Sequence, residues 1–455
     1  MKTLFYILLL LFPAVLTAQQ PRVRSSSSDI NWMNVGNPGF SDGLADYSNI
    51  VIGPDQMPYT AFNDNAYGMR GCVMKYDGSG WEYVGTPGFT PAQADRISLA
   101  LSLTGEPYIA FLDYSVNLRT SVMKYNGSGW EYVGDTGFSY TNAEWPRIAF
   151  SPSGEPFVSF IDEDHISVMK YNGSQWTYVG PRQFSGLCWY DDMAFSPSDG
   201  MPYVAYTDSD LGGRATLDKF DGTDWTHVGD PGFSAGGLTW LNLAFDQSGQ
   251  PFAGYCDFEA PDDALTVMTF NGTDWENVGE QGFNPGWPLY PAMAIGLDNM
   301  PCIAWEEYFG KVSAMKFNGS EWIFIGNQNF SAGGAQRLDM AIDSSGRIYV
   351  AYSDGAYDGK ETVMKYDTVS VGVPDRKQTC LSVYPNPASD KITIEKAESR
   401  YPDQLFILNP DGKEMLRRTL TGRITAIDIS DLPAGMYMIR LVGEHSVQVS
   451  KIVRK

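Results

Sequence analysis

The sequence predicts an all-β protein: a seven-bladed β-propeller closed by an N-terminal strand and followed by a small C-terminal β-sandwich. Three observations support this fold class. Aromatic residues make up 14% of the 455 residues, which favours strands. Turn residues are plentiful, with 47 Gly and 27 Pro. A motif recurs seven times at intervals of 46 to 50 residues, which is typical of propeller blades.

The first 18 residues have the pattern of a signal peptide. Lys2 precedes an apolar run from Phe5 to Leu16, and the small residues Thr17 and Ala18 follow this run. The run is shorter than the roughly 20 apolar residues that span a bilayer, so the pattern favours a cleaved export signal over a membrane anchor. We therefore predict export, with cleavage after Ala18.

Charge and composition exclude several classes of function. The chain carries 54 acidic and 32 basic residues, a net charge of −22, so we expect no nucleic-acid partner. Five scattered Cys argue against a disulfide scaffold, and three His leave little material for zinc sites or for hydrolases with a Ser-His or Cys-His pair. We assign no catalytic residue and expect no cofactor, with calcium as the alternative.

The repeat is marked by a Trp that begins the last strand of each unit and by a Phe eight residues later. The Trp residues are Trp32, Trp81, Trp130, Trp176, Trp225, Trp275 and Trp322. The Phe residues are Phe40, Phe89, Phe138, Phe184, Phe233, Phe283 and Phe330. Short alternating segments at this period predict blades around a central channel, which we assign to residues 19–366.

Each unit contains four strand-like segments, and the third unit shows them best. They cover Arg147 to Phe150, Pro156 to Ile161, Ile166 to Tyr171 and Trp176 to Val179. An Asn-Gly pair between the last two segments is typical of a tight hairpin turn.

The two ends of the array predict how the ring closes. The first Trp segment, at Trp32 to Val35, precedes any complete unit, and the last unit ends near Tyr366 without a Trp segment. Using the N-terminal segment as the fourth strand of the final blade gives seven whole blades and removes open sheet edges.

After Tyr366 the period stops, and we assign residues 367–380 to a linker and residues 381–455 to a separate domain. Short alternating runs separated by turn residues predict a small antiparallel sandwich there. Its motifs are Tyr384-Pro385-Asn386-Pro387, then Pro433-Ala434-Gly435 with Tyr437, and the terminal segment from Lys451 to Lys455.

This C-terminal domain resembles the C-terminal sorting domain (type A) of proteins exported by the type IX secretion system. The resemblance implies that the type IX machinery and a sortase-like enzyme are partners of this chain. It also implies passage through the periplasm and a final location outside the cell, either secreted or attached to the outer membrane surface. An accessory sandwich without an export role is the alternative.

Seven residues, which we call the mouth ring, lie three positions before the apolar start of each first strand. They are Tyr47, Arg96, Trp145, Tyr190, Trp240, Tyr290 and Arg337. Because first strands line a propeller channel, we expect these residues at one channel mouth. Aromatic faces and guanidinium groups suit a sugar, an aromatic ligand or a carboxylate. The alternative is that they fill the channel or pack between blades.

Seven further residues, the strand-end acids, end the second strands. They are Asp64, Asp113, Asp162, Asp208, Asp257, Glu307 and Asp354. An acid in every blade favours a structural role, because Asp bonds backbone amides at the start of a turn. Two of the strand-end acids are followed by a further acid two positions later. The resulting pairs are the weak candidates for a metal site, although none has EF-hand spacing: Asp162 with Asp164, and Asp208 with Asp210.

The sequence therefore favours a secreted or cell-surface binding protein, expected to be a monomer, that holds a glycan or protein ligand on the propeller face. The alternative is a secreted glycosidase or polysaccharide lyase at the channel mouth. Such an enzyme would use paired carboxylates such as Asp162 and Asp208, with Arg96 or Arg337. A residue type repeated in all seven blades argues against it, because active sites are normally asymmetric.

Overall fold

The computed structural model describes residues 31–308, 310–367, 382–395, 403–409, 413–442 and 447–455. The predicted signal peptide and the predicted linker, apart from Asp367, lie outside these ranges. In the described ranges, no helix is both long enough and apolar enough to cross a membrane. The described residues form two compact units that divide near residue 368.

The first unit consists of seven four-stranded antiparallel sheets, which confirms the predicted propeller. Strand β1 is Met33–Asn34. Blade 1 comprises β2 (Ala45–Ile52), β3 (Pro58–Asp64), β4 (Arg70–Tyr76) and β5 (Trp81–Tyr83). Blade 2 comprises β6 (Ala94–Leu101), β7 (Pro107–Asp113), β8 (Arg119–Tyr125) and β9 (Trp130–Tyr132). Blade 3 comprises β10 (Ala143–Phe150), β11 (Pro156–Asp162), β12 (His165–Tyr171) and β13 (Trp176–Tyr178).

Blades 4 to 7 continue in the same order. Blade 4 comprises β14 (Asp191–Phe195), β15 (Pro202–Asp208), β16 (Arg214–Phe220) and β17 (Trp225–His227). Blade 5 comprises β18 (Leu238–Phe245), β19 (Pro251–Asp257), β20 (Leu265–Phe270) and β21 (Trp275–Asn277). Blade 6 comprises β22 (Pro288–Ile295), β23 (Pro301–Glu307), β24 (Val312–Phe317) and β25 (Trp322–Phe324). Blade 7 comprises β26 (Ala335–Ile342), β27 (Ile348–Asp354) and β28 (Lys360–Tyr366), with β1 as its fourth strand.

Single-turn 3₁₀ helices follow several second strands. Those in the described residues are Asn65–Tyr67, Tyr114–Val116, Ser209–Leu211, Pro261–Asp263 and Gly355–Tyr357. These turns join second strands to third strands.

The N-terminal strand closes the ring, as the sequence predicts. In β1, Met33 pairs with Lys365 and Asn34 pairs with Met364 of β28. The amide of Val35 extends this pairing by donating to the carbonyl of Val363 at 2.8 Å. The first and last parts of the propeller therefore share one sheet, and blade 7 has no open fourth edge.

The repeated Trp and Phe connect neighbouring blades, in an arrangement we call the blade clasp. Each Trp Nε1 donates a hydrogen bond of 2.6–2.9 Å to a Val or Ile carbonyl of the preceding blade. Each Phe stacks on the Trp of the next blade, with ring centroids 3.8–4.3 Å apart. The Gly after each Val or Ile makes room for this Trp: at Gly134, where φ is +72°, a Cβ would lie 3.0 Å from Trp176 and 2.8 Å from Tyr171.

First strands are longer than the sequence predicts. We expected the first strand of blade 3 to begin at Arg147, but β10 begins at Ala143. Trp145 and Pro146 together stand opposite Phe160, which is a β-bulge, and pairing continues beyond it to Ala143. Register shifts at the same place in five other blades show that the bulge is part of the repeat.

The second unit contains two small antiparallel sheets, in agreement with the predicted β-sandwich. One sheet consists of β29 (Ser382–Tyr384), β30 (Lys391–Glu395) and β33 (Ile424–Asp428). The other consists of β31 (Asp403–Leu408), β32 (Glu414–Leu420), β34 (Gly435–Val442) and β35 (Val447–Arg454). Ile394, Leu405, Ile407, Ile439 and Ile452 are fully buried in one apolar core drawn from both sheets.

Candidate functional site

All seven mouth-ring residues line one cavity at the centre of the propeller. The cavity has a volume of about 110 Å³. The residues come from all seven blades, so the circular arrangement of the sheets brings together side chains that are about 50 positions apart in the chain. The ring predicted from the repeat is therefore a ring in space.

The β-bulge determines where these side chains lie. Six of the seven residues have a left-handed backbone, with φ between 47° and 57°; Tyr190 is the exception, and β14 begins just after it. Residues other than Gly seldom adopt this conformation, and it costs about 1–3 kcal/mol at each position. Six of the seven mouth-ring residues thus lie within the bulged part of their first strands rather than before these strands, which corrects the expectation from the sequence for those six.

The side chains of the mouth ring form a closed circle of contacts. Successive aromatic rings from Tyr47 to Tyr290 have centroids 5.1–6.4 Å apart. Arg337 completes the circle, because its guanidinium carbon lies 4.3 Å from the ring centroid of Tyr47 and 5.1 Å from that of Tyr290. Arg96 stacks in the same way over Trp145, at 4.4 Å.

The two arginines of the mouth ring also form ion pairs. Arg96 Nη1 lies 2.5 Å from Glu144, and Arg337 Nε lies 3.2 Å from Asp46. Burial raises the pKa of Asp46, although the charge of Arg337 acts in the opposite direction. These pairs hold the guanidinium planes over the aromatic faces, where they can contact a ligand.

Mouth-ring residues also pack against the cores between blades. All seven are half-buried, and Trp145, Tyr190 and Trp240 each contact a different interblade core cluster. The two roles considered for the ring, ligand contact and blade packing, are therefore compatible at the same residue.

A second circle of residues lies two positions after the mouth ring, and we call it the inner ring. It consists of Asn49, Ser98, Arg147, Asp192, Asn242, Ala292 and Asp339. Most of its polar side chains bond to the backbone of the next blade: Asp339 accepts from the amide of Ile50 at 2.9 Å, and Asp192 accepts from the amide of Leu243 at 2.8 Å. The inner ring therefore joins blades around the channel.

Arg147 departs from this pattern. It lines the cavity with its neighbour Asp191, and the charge of Arg147 lowers the pKa of Asp191, Asp192 and Asp339. Burial nevertheless dominates, and it raises the pKa of Asp191 to about 7 and that of Asp339 to about 6. The sequence analysis missed Arg147 and Asp191, although Arg147 is the one basic residue at its position of the repeat.

The strand-end acids have bonds within their own blades. Asp64, Asp113, Asp208 and Asp354 each accept a hydrogen bond of 2.8–3.0 Å from the backbone amide two residues later, at the start of a 3₁₀ turn. All four are buried. This is the turn-capping role that the repeat favours.

The weak metal candidates do not converge. Asp162 accepts two hydrogen bonds from Arg182, at 2.6 and 2.9 Å, and one from Thr141. Burial acts to raise the pKa of Asp162, but these bonds outweigh it and hold the pKa below its ordinary value. Among the described residues, no three His, Cys, Asp or Glu side chains lie close enough together to hold a metal ion. Asp164 borders a separate depression that also includes Trp145 and Tyr190, and Asp210 lies in the 3₁₀ turn after Asp208.

The carboxylate pair of the enzymatic alternative lies away from its arginines. Neither Asp162 nor Asp208 lines the central cavity, whereas Arg96 and Arg337 both do. Of the described residues that line this cavity, Asp191 is the one carboxylic acid.

In the second unit, the predicted motifs contact one another. Asn386 donates to the carbonyl of Lys451 at 2.8 Å and accepts from the amide of Val453 at 2.9 Å. The hydroxyl of Tyr437 donates to the carbonyl of Pro433 at 2.7 Å. The first motif is thus bonded to the C-terminal strand, whereas Pro433 and Tyr437 stabilise the turn that begins β34; Pro385, Pro387, Ala434 and Gly435 are the remaining motif residues.

Comparison with solved structures shows similarity of fold. PorZ, described as an essential surface component of the type IX secretion system of Porphyromonas gingivalis, is 14% identical with a TM-score of 0.49; the match covers 91% of this chain and 60% of PorZ. A fungal alcohol oxidase in complex with copper is 12% identical with a TM-score of 0.50, covering 92% and 100% of the two chains. This chain therefore spans only 60% of the length of PorZ. No curated protein sequence matches the chain.

The second unit has a specific match. Residues 382–455 fit the family model described as a secretion system C-terminal sorting domain. The match covers the three motifs on which the predicted resemblance rests. Residues 382–455 therefore belong to the C-terminal sorting domain family, and the chain is exported by the type IX secretion system to the cell surface or the medium.

Proposed function

We propose that the exported propeller is a binding protein that holds a glycan inside the mouth ring. The observation that carries this proposal is the convergence of all seven mouth-ring residues on one cavity. Aromatic faces stack on the apolar faces of sugar rings, and guanidinium groups donate hydrogen bonds to sugar hydroxyls. A concave site with a few polar groups among aromatic walls is typical of small-ligand recognition.

The shape of the site favours a glycan over a protein ligand. A stable protein partner covers about 800 Å² on each side, and it contacts a broad surface rather than a narrow cavity. The central cavity is narrow, with a volume of about 110 Å³, and offers no such broad surface. We also expect the propeller to act as a monomer, because its seven blades close on themselves.

The arrangement of acids favours binding over hydrolysis. Most glycosidases use two carboxyl groups that flank the scissile bond. Asp191 is the one acid among the described residues that line the cavity, and Asp162 and Asp208 are engaged by bonds within their blades. These observations support a binding role for the cavity.

An array of neutral and uronate-terminated glycans, probed with the purified chain, tests the proposal. We expect the wild-type chain to bind at least one class of glycan and Trp145→Ala to lose that binding, because it removes a wall of the cavity. Trp287→Ala is the matched control, since Trp287 is half exposed and does not line the cavity.

Thermal melting of each variant shows whether it is folded. A wild-type chain that binds no glycan would refute the proposal, and so would a folded Trp145→Ala variant with undiminished binding.

A further inference from the structure

We propose that Arg147 and Asp191, which we call the floor of the cavity, recognise two hydroxyl groups of a neutral sugar residue. Asp191 accepts a hydrogen bond from one hydroxyl, and the guanidinium of Arg147 donates to the other. This inference rests on the proposed function, because it requires a glycan inside the mouth ring. It names the class of sugar and two residues that no repeat pattern assigns.

Asp191 has one carboxylate oxygen without a partner. Its side chain is only 2% exposed, and Oδ2 accepts a hydrogen bond of 2.7 Å from the hydroxyl of Ser159. Oδ1 is buried at the cavity and has no hydrogen-bond donor within the described part of the chain. A buried acceptor without a partner is destabilising, so a donor supplied by a ligand is strongly favoured at this atom.

Arg147 is the complementary donor. Within the described residues its guanidinium makes no hydrogen bond or ion pair, and its Nε is buried without an acceptor. Arg96 and Arg337, in contrast, each have a carboxylate partner. Of the three arginines that line the cavity, Arg147 is thus the one whose five N–H groups are available to an acceptor.

The charges around Arg147 favour a neutral ligand. Asp191, Asp192 and Asp339 all lie close enough for the charge of Arg147 to lower their pKa values. The three acids outnumber the one guanidinium, even though burial raises the pKa of Asp191 to about 7 and leaves part of it protonated at neutral pH. An anionic sugar would add a further negative group to this region. A pair of hydroxyls satisfies both the donor and the acceptor without adding charge.

The neighbouring walls match a single sugar ring. Trp145 lies two positions before Arg147, and Tyr190 directly precedes Asp191, so blades 3 and 4 supply both the stacking faces and the polar pair. The cavity has room for about four water molecules, at the roughly 30 Å³ that each occupies in the liquid. This space takes the hydroxyl-bearing edge of one terminal sugar residue, with the rest of the glycan outside the mouth ring.

The test begins with the glycan that binds best on the array and uses titration calorimetry with the methyl glycoside of its terminal residue. Asp191→Asn keeps the shape of the side chain but exchanges one of its two acceptor oxygens for an NH2 donor; with the remaining oxygen on the Ser159 hydroxyl, this NH2 faces the cavity. Arg147→Met removes the donors but keeps an unbranched apolar stem. We expect each variant to weaken binding at least tenfold. Asp246→Asn is the matched control, because Asp246 accepts backbone amides in the turn after the first strand of blade 5 and does not line the cavity; its affinity should stay within about twofold.

Deoxy analogues of the same glycoside test the proposal on the unchanged protein, so it stays testable if a variant fails to fold. Removal of either of two adjacent hydroxyls should weaken binding at least tenfold. The floor proposal is overturned, and the mouth-ring site survives, if folded Asp191→Asn and Arg147→Met bind normally while Trp145→Ala does not. It is also overturned if uronate-terminated glycans bind best. Absence of any glycan binding by the wild type overturns the proposed function as well.

Discussion

The mouth-ring side chains show what a repeat can reveal about single residues. Alignment of the seven units predicts that Tyr47, Trp145 and their equivalents share one position, because each lies three residues before the apolar start of its first strand. The left-handed backbone at these residues was not predictable, since aromatic and Arg side chains do not favour positive φ. Arg147 and Asp191 were not predicted, because a repeat draws attention to positions where all blades carry similar residues. At the positions of Arg147 and Asp191, the residue type differs from blade to blade.

A second departure from the repeat is Glu361, which is fully buried where blade 7 meets blade 1. The other blades have Gly, Thr or an apolar residue at this position of the third strand. Ser48 and Thr60 donate hydrogen bonds to the two carboxyl oxygens of Glu361, at 2.6 and 2.7 Å. Burial still dominates and raises the pKa of Glu361 to about 8.

This raised pKa predicts that the chain loses stability as pH rises. Between the ordinary pKa of 4.5 and about 8, folded Glu361 holds a proton that the unfolded chain has released. The folded state then binds more protons, so the free energy of unfolding falls with pH, by up to about 1.4 kcal/mol per pH unit from this one group. The contribution is complete below pH 4.5 and is lost as pH passes through 8.

Glu361→Gln tests this prediction, because Gln is neutral at every pH and still accepts one hydrogen bond. Urea unfolding from pH 5 to 8 should show a shallower decline for Glu361→Gln than for wild type. Asp191 and Asp339 also have raised pKa values, so a residual slope is expected. Parallel pH profiles for the two proteins would show that Glu361 titrates normally in the fold.

At the scale of strands, the sequence predicts the second, third and fourth strands of blade 3 to within one residue. Those strands carry apolar runs bounded by Pro, Asn-Gly and Trp, and these signals are local. The first strand of blade 3 was predicted too short, because its N-terminal half contains the bulge and lacks an apolar run. The closing strand β1 was predictable, because the last unit lacks a Trp segment and one unassigned Trp segment lies at the N-terminus.

The N-terminal segment stabilises the ring mainly through Trp32, which directly precedes β1. This side chain is 6% exposed, stacks on Phe330 at 3.9 Å and donates to the carbonyl of Ile325 at 2.8 Å. A chain that starts at residue 37 should therefore lose at least the 3–5 kcal/mol that burial of a Trp contributes, and should melt at a lower temperature. It also exposes the edge of β28.

A chain that starts at residue 31 is the matched control, because it keeps Trp32 and all of β1. Calorimetric melting of the two proteins should separate them clearly. Equal melting temperatures would mean that β1 contributes nothing to closure of the ring.

At the scale of the whole molecule, the candidate site and the export signal lie in different units. The propeller carries the candidate site, whereas the C-terminal sorting domain carries the export signal. The boundary was predictable because the repeat period ends abruptly at Tyr366. The contacts inside the sorting domain were not predictable, since nothing in the motifs shows that Asn386 bonds to the last strand.

These contacts predict that the last five residues are needed for export but not for the propeller. Deletion of Lys451–Lys455 removes Ile452, which is fully buried, and both bonding partners of Asn386, so the sorting domain loses part of its core. We expect the truncated chain to accumulate in the periplasm. The propeller of the purified truncated chain should melt at the wild-type temperature and bind the same glycan. Asn386→Ala should lower export less, because it removes two hydrogen bonds but no core residue. Cell fractionation and protease accessibility of whole cells measure both effects. Wild-type amounts of the truncated chain at the surface would mean that export does not depend on the C-terminal strand.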